Sequence, residues 1–397
     1  MALTVKHLNG DTTFLLTFSP TSSRPPSPPA SGYYQTPGTF TILIDPWLSG
    51  PSSMWHRRFL LSQHTSPSCV EHLSQLPEPN VVIISQAKPD HCHESTLRQL
   101  DPESPITTIL AEPVAAKKIR GMRFFYPDMV HSLRPYSERD PDSVIRFCIP
   151  PIVAGGTSGE ATISFMPAKM DVAGVHNAIG ITYRPPSTTN TPSRPFTPKV
   201  APAQHPASLC QHPYTSLPIT PPESPVYRST SNTSSTVGSS ELNSTFSAPN
   251  HSRSFSSSSS LYSVTRRSVP TEKALSVIYS PHGVSYSLIR SYASSFLIQK
   301  AALPLTLLLH SFDRVDNPWW MGGNVAAGLP GGVEIARNLM ARCWVSAHDE
   351  DKINTGISVK NVRTQKFSQQ EAMSAMVEDG TKVLNLGVGE EILMRSR

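Results

Sequence analysis

Residues 81–97 read VVIISQAKPDHCHESTL. Four β-formers, Val81 to Ile84, end in Ser85, and Asp90, His91, Cys92, His93 and Glu94 follow within ten residues. Carboxylate oxygen and imidazole nitrogen are both ordinary ligands for zinc and similar divalent ions. Layered α/β proteins put their chemistry where a buried strand hands over to polar residues. Asp90 and His91 therefore read as metal ligands. Each also has a plainer use. Asp90 could cap a helix starting near His93 or Glu94 by accepting a hydrogen bond from a free backbone N–H, and His91 could be an ordinary structural histidine.

Four other stretches offer groups that could converge on the same point. FTILIDPWLSG places Asp45 at the end of an apolar strand, where a carboxylate is desolvated unless something binds it; a turn aspartate ahead of Pro46 is the plain alternative. MPAKMDVAGVHNAIGITY offers Asp171 and His176, and VIYSPHGVSYS ends a strand in Pro281-His282-Gly283, whose glycine lets the backbone approach a neighbour. ARCWVSAHDEDK ends a strand in His348, followed by Asp349, Glu350 and Asp351. The chain has 14 histidines, so some fall at strand ends by chance.

The elements that must position these groups alternate between strand-like and helix-like runs. Strands are expected at 3–5, 14–18, 40–44, 81–84, 107–111, 144–149, 162–166, 179–183, 275–279, 305–309 and 343–346. Helices are expected at 67–74, 94–100, 113–122, 286–293 and 332–340, the last with an apolar face of Val333, Ile335, Ala336, Leu339 and Met340. Many strands with helices between them mean a layered α/β domain.

Two segments lack the apolar content to pack. Residues 19–38 interrupt a strand pair as an overgrown hairpin loop, and loops lengthen cheaply because closure entropy grows with the logarithm of length. Residues 185–271 are Ser, Thr, Pro and Asn, with too little apolar surface to offset the entropy of ordering. They read as a disordered insertion between the two halves of one domain, 1–184 and 272–397. Thr197, Thr220, Ser224 and Ser268 sit in kinase-like contexts; an unmodified spacer is the plain reading.

Composition narrows the function classes. Net charge is +5 over 397 residues with no dense Lys/Arg run, so there is no electrostatic footprint for nucleic acid. No window approaches the ~18 apolar residues of a membrane span, and the amino terminus lacks the plan of a signal peptide. Five scattered cysteines without a C-x-x-C argue for reduced thiols and a cytoplasmic setting. The pair Trp319 and Trp320 reads as core or loop packing.

The order of these pieces resembles the metallo-β-lactamase fold superfamily, in its branch of small-molecule and phosphoester hydrolases. The likeness runs from LTVKHLNGDTTFLLTF to the region of His348. It implies a four-layer αβ/βα sandwich. VVIISQAKPDH lies where the family has a strand and its H-x-H-x-D-H metal motif, but Gln86 and Lys88 stand for the first two histidines. Pro281 or His282 stands where the family has a metal-bridging aspartate. What survives implies one divalent ion, zinc by expectation, on Asp90, His91 and His348, with His282 in place of the bridge; His93 and Asp171 are spare ligands. Asp90 and Lys88 are the expected catalytic groups, the lysine as a fixed positive charge, since an ammonium is no metal ligand. The function implied is metal-dependent hydrolysis of a small ester, lactone or phosphoester. The alternative is a non-catalytic scaffold that binds no metal, in which Lys88 pairs with Asp90 and the 185–271 segment serves regulation or protein partners.

Overall fold

The strands beside the 81–84 run are apolar at nearly every position, and they send alternate residues to two different interiors. The computed structural model describes residues 1–20, 36–54, 56–169, 171, 174–187, 273–318 and 323–396. Most of the 185–271 segment, and both Trp319 and Trp320, lie outside the described residues. In chain order come β1 (Ala2–His7), β2 (Phe14–Ser19), β3 (Phe40–Ile44), β4 (Val81–Ile84), β5 (Thr108–Ala111) and β6 (Val130–Ser132). Then follow β7 (Val144–Ile149), β8 (Gly159–Pro167), β9 (Asn177–Arg184), β10 (Leu275–Tyr279), β11 (Leu307–His310), β12 (Cys343–Ser346), β13 (Lys382–Leu384) and β14 (Glu391–Arg395).

These strands form two seven-stranded sheets, ordered β14-β1-β2-β3-β4-β5-β6 and β13-β12-β11-β10-β9-β8-β7. In the first sheet, pairing is antiparallel from β14 to β3 and parallel from β3 to β6. In the second it is antiparallel from β7 to β10 and parallel from β10 to β13. β9 and β10 are neighbours, Tyr183 pairing with Leu275, so the long segment between them leaves and re-enters one sheet.

Side-chain alternation builds the layers. Val81 and Ile83, with Phe14, Leu16, Ile42, Ile163, Ile181, Val277, Leu309 and Val345, fill the space between the sheets. The residues between them point the other way. Leu43, Val82, Ile84 and Ile109 pack against α1 (Glu94–Leu97) and α2 (Pro113–Gly121). Ile278, Leu308 and Trp344 pack against α3 (Tyr286–Ser291), α4 (Gly328–Asn338) and α5 (Gln369–Ala375). With both faces covered, the strands must be apolar throughout rather than alternating, which is why they read as unbroken runs. The result is the expected four-layer sandwich, helix–sheet–sheet–helix. Each buried Val, Leu or Ile contributes about 1.5–3 kcal/mol of transfer free energy.

Close packing sets one glycine. A Cβ on Gly332 in α4 would lie 2.1 Å from Trp344 Cζ2 on β12, so the helix reaches that sheet only without a side chain there.

Two helix expectations need correction. No α-helix forms at 67–74: only a 3-10 turn, Leu73–Gln75, is present there, because Pro67 and the polar Ser66 and Ser68 supply no apolar face. The helix near Asp90 is one turn, Glu94–Leu97, with His93 at its N-cap and no side-chain cap bond, so Asp90 does not cap it. Among the described residues no helix is long and apolar enough to cross a membrane.

Candidate metal centre

Groups at the carboxyl ends of β3, β4, β10 and β12, with one from the β1–β2 turn, meet at a single point. Asp45 follows β3, Asp90 and His91 follow β4, His282 follows β10, and His348 follows β12. Ring nitrogens of His91, His282 and His348 all lie within 4.8 Å of one another. The rings are tightly grouped, with centroids 4.5 Å apart for His282 and His348 and 5.0 Å for His91 and His348.

The outer nitrogen of each ring is already committed. His91 Nδ1 lies 2.7 Å from Asp45 Oδ2, His348 Nδ1 lies 2.9 Å from Asp11 Oδ1, and His282 Nδ1 lies 3.0 Å from the Val325 carbonyl. A carboxylate or carbonyl oxygen only accepts, so each Nδ1 carries the proton and donates. Each Nε2 is then left with a bare lone pair. His91 Nε2 and His282 Nε2 face one another at 3.2 Å, with both residues buried. Two bare acceptors do not attract; a cation must sit between them, a proton or a metal ion.

The His91–His282 spacing fits a metal. Two nitrogens each ~2.0–2.1 Å from a tetrahedral zinc stand about 3.3 Å apart. Metal-bound histidines characteristically donate their other N–H to a carboxylate or backbone carbonyl, and all three do so here. Three nitrogen ligands with a fourth position open is also the composition of catalytic zinc sites.

The surrounding shell is densely hydrogen-bonded. Asp45 is wholly buried and accepts from Ser85 N–H at 2.7 Å, from the Ser85 hydroxyl, and from Tyr279 OH at 2.6 Å, besides His91. This answers the desolvation that its position at a strand end implied. Asn9 Oδ1 accepts from the backbone N–H of Asp11 and Thr13, each at 3.0 Å, locking the β1–β2 turn that presents Asp11. Asp45 and His348 both hold positive φ, 41° and 74°, a conformation non-glycine residues adopt at a cost. Gly283, beside His282, has φ 78°, and a Cβ there would meet His310 Nε2 at 2.6 Å.

Charge sets the protonation pattern. Burial disfavours a charged His91, but the Asp90 and Asp45 carboxylates outweigh it and raise its pKa. Burial, with the neighbouring His348, His91 and His176, holds His282 well below the usual imidazole range. Without a metal, the proton between these two rings therefore belongs to His91. Burial pushes the Asp11 carboxyl up, yet His348 and Lys352 together hold it well below the usual range. Asp90 is lowered against its burial by His91, Lys352 and His348.

Of the residues singled out from sequence, Asp90, His91, His282 and His348 stand together. Asp90 Oδ2 is 4.0 Å from His91 Nε2, and its side chain is 22% exposed. The cation that pairs with Asp90 is Lys352, at 3.8 Å; among the described residues Lys88 forms no ion pair. His93 instead bonds Thr96 Oγ1 at 2.9 Å. Asp171 accepts from the backbone N–H of Val175 and His176, and both His176 ring nitrogens face carbonyl oxygens, of Gly283 and Asn324. These three are committed elsewhere. Sequence reading missed Asp11 and Lys352. Asn9-Gly10-Asp11 reads as a turn, and Lys352 lies in a run of charges; its place four residues after His348 was the one available signal.

No family model matches the sequence, and no curated protein matches it. Among solved structures, the chain is similar to Igni18, a metallo hydrolase from Ignicoccus hospitalis, with TM-score 0.44 and 10% identity over all of both chains. It is similar to an isothiocyanate hydrolase from Delia radicum gut bacteria, with TM-score 0.47 and 10% identity over 98% of each chain. It is also similar to YhfI, a metallo-β-lactamase fold protein from Bacillus subtilis. There the TM-score is 0.40 and the identity 9%, over 99% of this chain and 100% of that one. What this chain's own structure defines is a four-layer sandwich of two face-to-face mixed sheets with helices outside both, the layering that the resemblance in motif order implies.

Proposed function

We propose that the protein is a metal-dependent hydrolase that holds a divalent ion, zinc by preference, on His91, His282 and His348. The single observation that supports this most is the approach of His91 Nε2 and His282 Nε2 to 3.2 Å while the Nδ1 of each ring faces an oxygen acceptor. An ion bound there supplies a lowered pKa for its water and polarisation of a carbonyl or phosphoryl oxygen.

The chain's own residues do the rest. Asp45 and Asp11 fix the ring orientations of His91 and His348 by accepting at Nδ1–H. Asp90 is the half-buried carboxylate beside the rings, and its lowered pKa keeps it ionised at neutral pH. Its Oδ2 is placed to take the proton of an attacking water, the part of a general base. Substrates of this chemistry are small esters, lactones or phosphoesters.

The full-length chain, dialysed against zinc or manganese, tests the reading by bound metal and thermal unfolding. About one ion per chain, with a metal-dependent rise in Tm that His91→Ala and His348→Ala abolish, supports it, because a ligand bound only to the folded state must stabilise it. Turnover of p-nitrophenyl esters, lactones or phosphodiesters then selects the substrate class. Wild-type protein that binds no metal and gains no stability overturns the proposal in favour of a scaffold.

A further inference from the structure

Lys352 puts an ammonium beside the three-histidine cluster. Its Nζ lies 2.8 Å from Asp11 Oδ2, 3.3 Å from His348 Nδ1 and 3.8 Å from Asp90 Oδ2. It also lies 5.8 Å from the ring centre of Trp47, a wholly buried side chain whose face favours a cation. Only 11% of the lysine side chain is exposed. The ammonium thus sits where carboxylates of two different loops converge, beside the three-histidine cluster.

We propose that Lys352 is a built-in cation of this centre, occupying the place next to Asp11 and Asp90 that a second divalent ion would need and so limiting the protein to one. This rests on the metal-binding reading above.

Three observations carry it. First, both oxygens of Asp11 are engaged, Oδ1 by His348 and Oδ2 by Lys352, so an ion taking Oδ2 as a ligand would have to displace the ammonium. Second, the charges balance with one ion. Asp11, Asp45 and Asp90 bring three negative charges; Lys352 and one dication bring three positive ones. A second dication would leave the buried cluster with a net double positive charge, which a low-dielectric interior does not tolerate cheaply. Third, the ammonium is held rather than passing through. A surface lysine swings freely, but this one is fixed by Asp11, whose side chain is wholly buried. A purely structural Asp11–Lys352 pair is the competing account, and it makes no demand on how many metal ions bind.

Metal content and affinity separate the two. Full-length wild type, Lys352→Gln and Lys352→Arg are loaded with zinc, their metal counted by mass spectrometry, and their affinities measured against a competing chelator. Glutamine keeps an N–H for Asp11 and removes the charge. The expected result is one ion per wild-type chain, and in Lys352→Gln either a second ion or binding of the first tighter by on the order of tenfold, from the lost repulsion. Lys352→Arg is expected to keep one ion. Two ions on wild type overturn the inference while leaving the hydrolase reading intact. Affinity in Lys352→Gln that is unchanged or weaker, with one ion, also overturns it. No ion on wild type overturns the metal-binding reading itself. Should Lys352→Gln fail to fold, Lys352→Met takes its place in the same count and affinity measurement: a second ion or tighter binding supports the inference, and one ion bound no more tightly than in wild type overturns it.

Discussion

Asp45 and His91 meet at 2.7 Å across 46 residues of chain, each with a wholly buried side chain. The contact joins the ends of β3 and β4, neighbours in one sheet, and aims the His91 ring at His282.

Asp45→Asn tests this link. The amide places a donor where Ser85, Tyr279 and His91 all donate, so at least one buried N–H or O–H loses its acceptor. Breaking a buried ion pair from one side costs about 3–5 kcal/mol, and loss of such an orienting group lowers metal affinity about 10–100-fold. Denaturant unfolding and a chelator competition measure the two effects. An Asn variant with wild-type metal affinity would show that the carboxylate does not position His91.

The strand ends that carry Asp90, His91, His282 and His348 were legible because each follows an unbroken apolar run, and such runs mark strands covered on both faces. The four-layer arrangement was legible for the same reason, with help from the resemblance in motif order. What joins the groups was not. Local sequence does not reveal that Asp45 faces His91, since the distance closes through β3–β4 pairing rather than spacing. Asp11 was hidden in a turn whose polar residues explain themselves locally, and Lys352 among charges that a solvated loop would also carry. Lys88 had the right charge and the right neighbourhood, yet a tether from β12 brings the ammonium of Lys352 to Asp90 instead. The short strands after residue 310 were missed because three-residue pairings such as Arg314–Asp316 have no usable periodicity.

Acid stability reports on Glu160, away from the centre. Partial burial pushes its carboxyl up, but hydrogen bonds and charge from Lys300 and Arg146, the latter at 2.9 Å, hold it below the usual range. A depressed folded pKa stabilises above the unfolded value and is lost as pH falls through the folded one. Glu160→Gln should therefore flatten the acid limb below about pH 4.5 and cost at most about 1 kcal/mol at neutral pH, since Arg146 is largely exposed. Unfolding free energy measured from pH 3 to 7 checks it; parallel curves for the two proteins would rule the ion cluster out as a source of acid sensitivity.

Gly332→Ala probes how α4 seats on the strand that leads to His348. The new Cβ would overlap the Trp344 ring at 2.1 Å, and that ring is pinned by its Nε1 donating to the His310 carbonyl at 2.9 Å. Overpacking of this kind costs about 1–3 kcal/mol. Metal content should stay near wild type in the protein that folds, because Trp344 points to the outer face and the centre lies at the strand end. A Gly332→Ala protein as stable as wild type would show that the helix can shift freely.

Comparing His348→Gly with His348→Ala separates ligation from backbone strain at one position. Both variants lose the ring, its bond to Asp11 and the third nitrogen of the centre, so neither should show a metal-dependent rise in Tm. They differ in the backbone. At φ 74° alanine retains the Cβ clash that disfavours left-handed conformations, whereas glycine does not. The metal-free glycine variant should accordingly be more stable than the alanine variant by about 1–2 kcal/mol. Strain held at a ligand position, released only when function is removed, is the pattern expected where a centre is shaped for binding rather than stability. Equal unfolding free energies for the two variants would mean the loop relaxes out of this conformation once the ring is gone, and that Asp11 and the bound ion, not the fold, hold residue 348 in place.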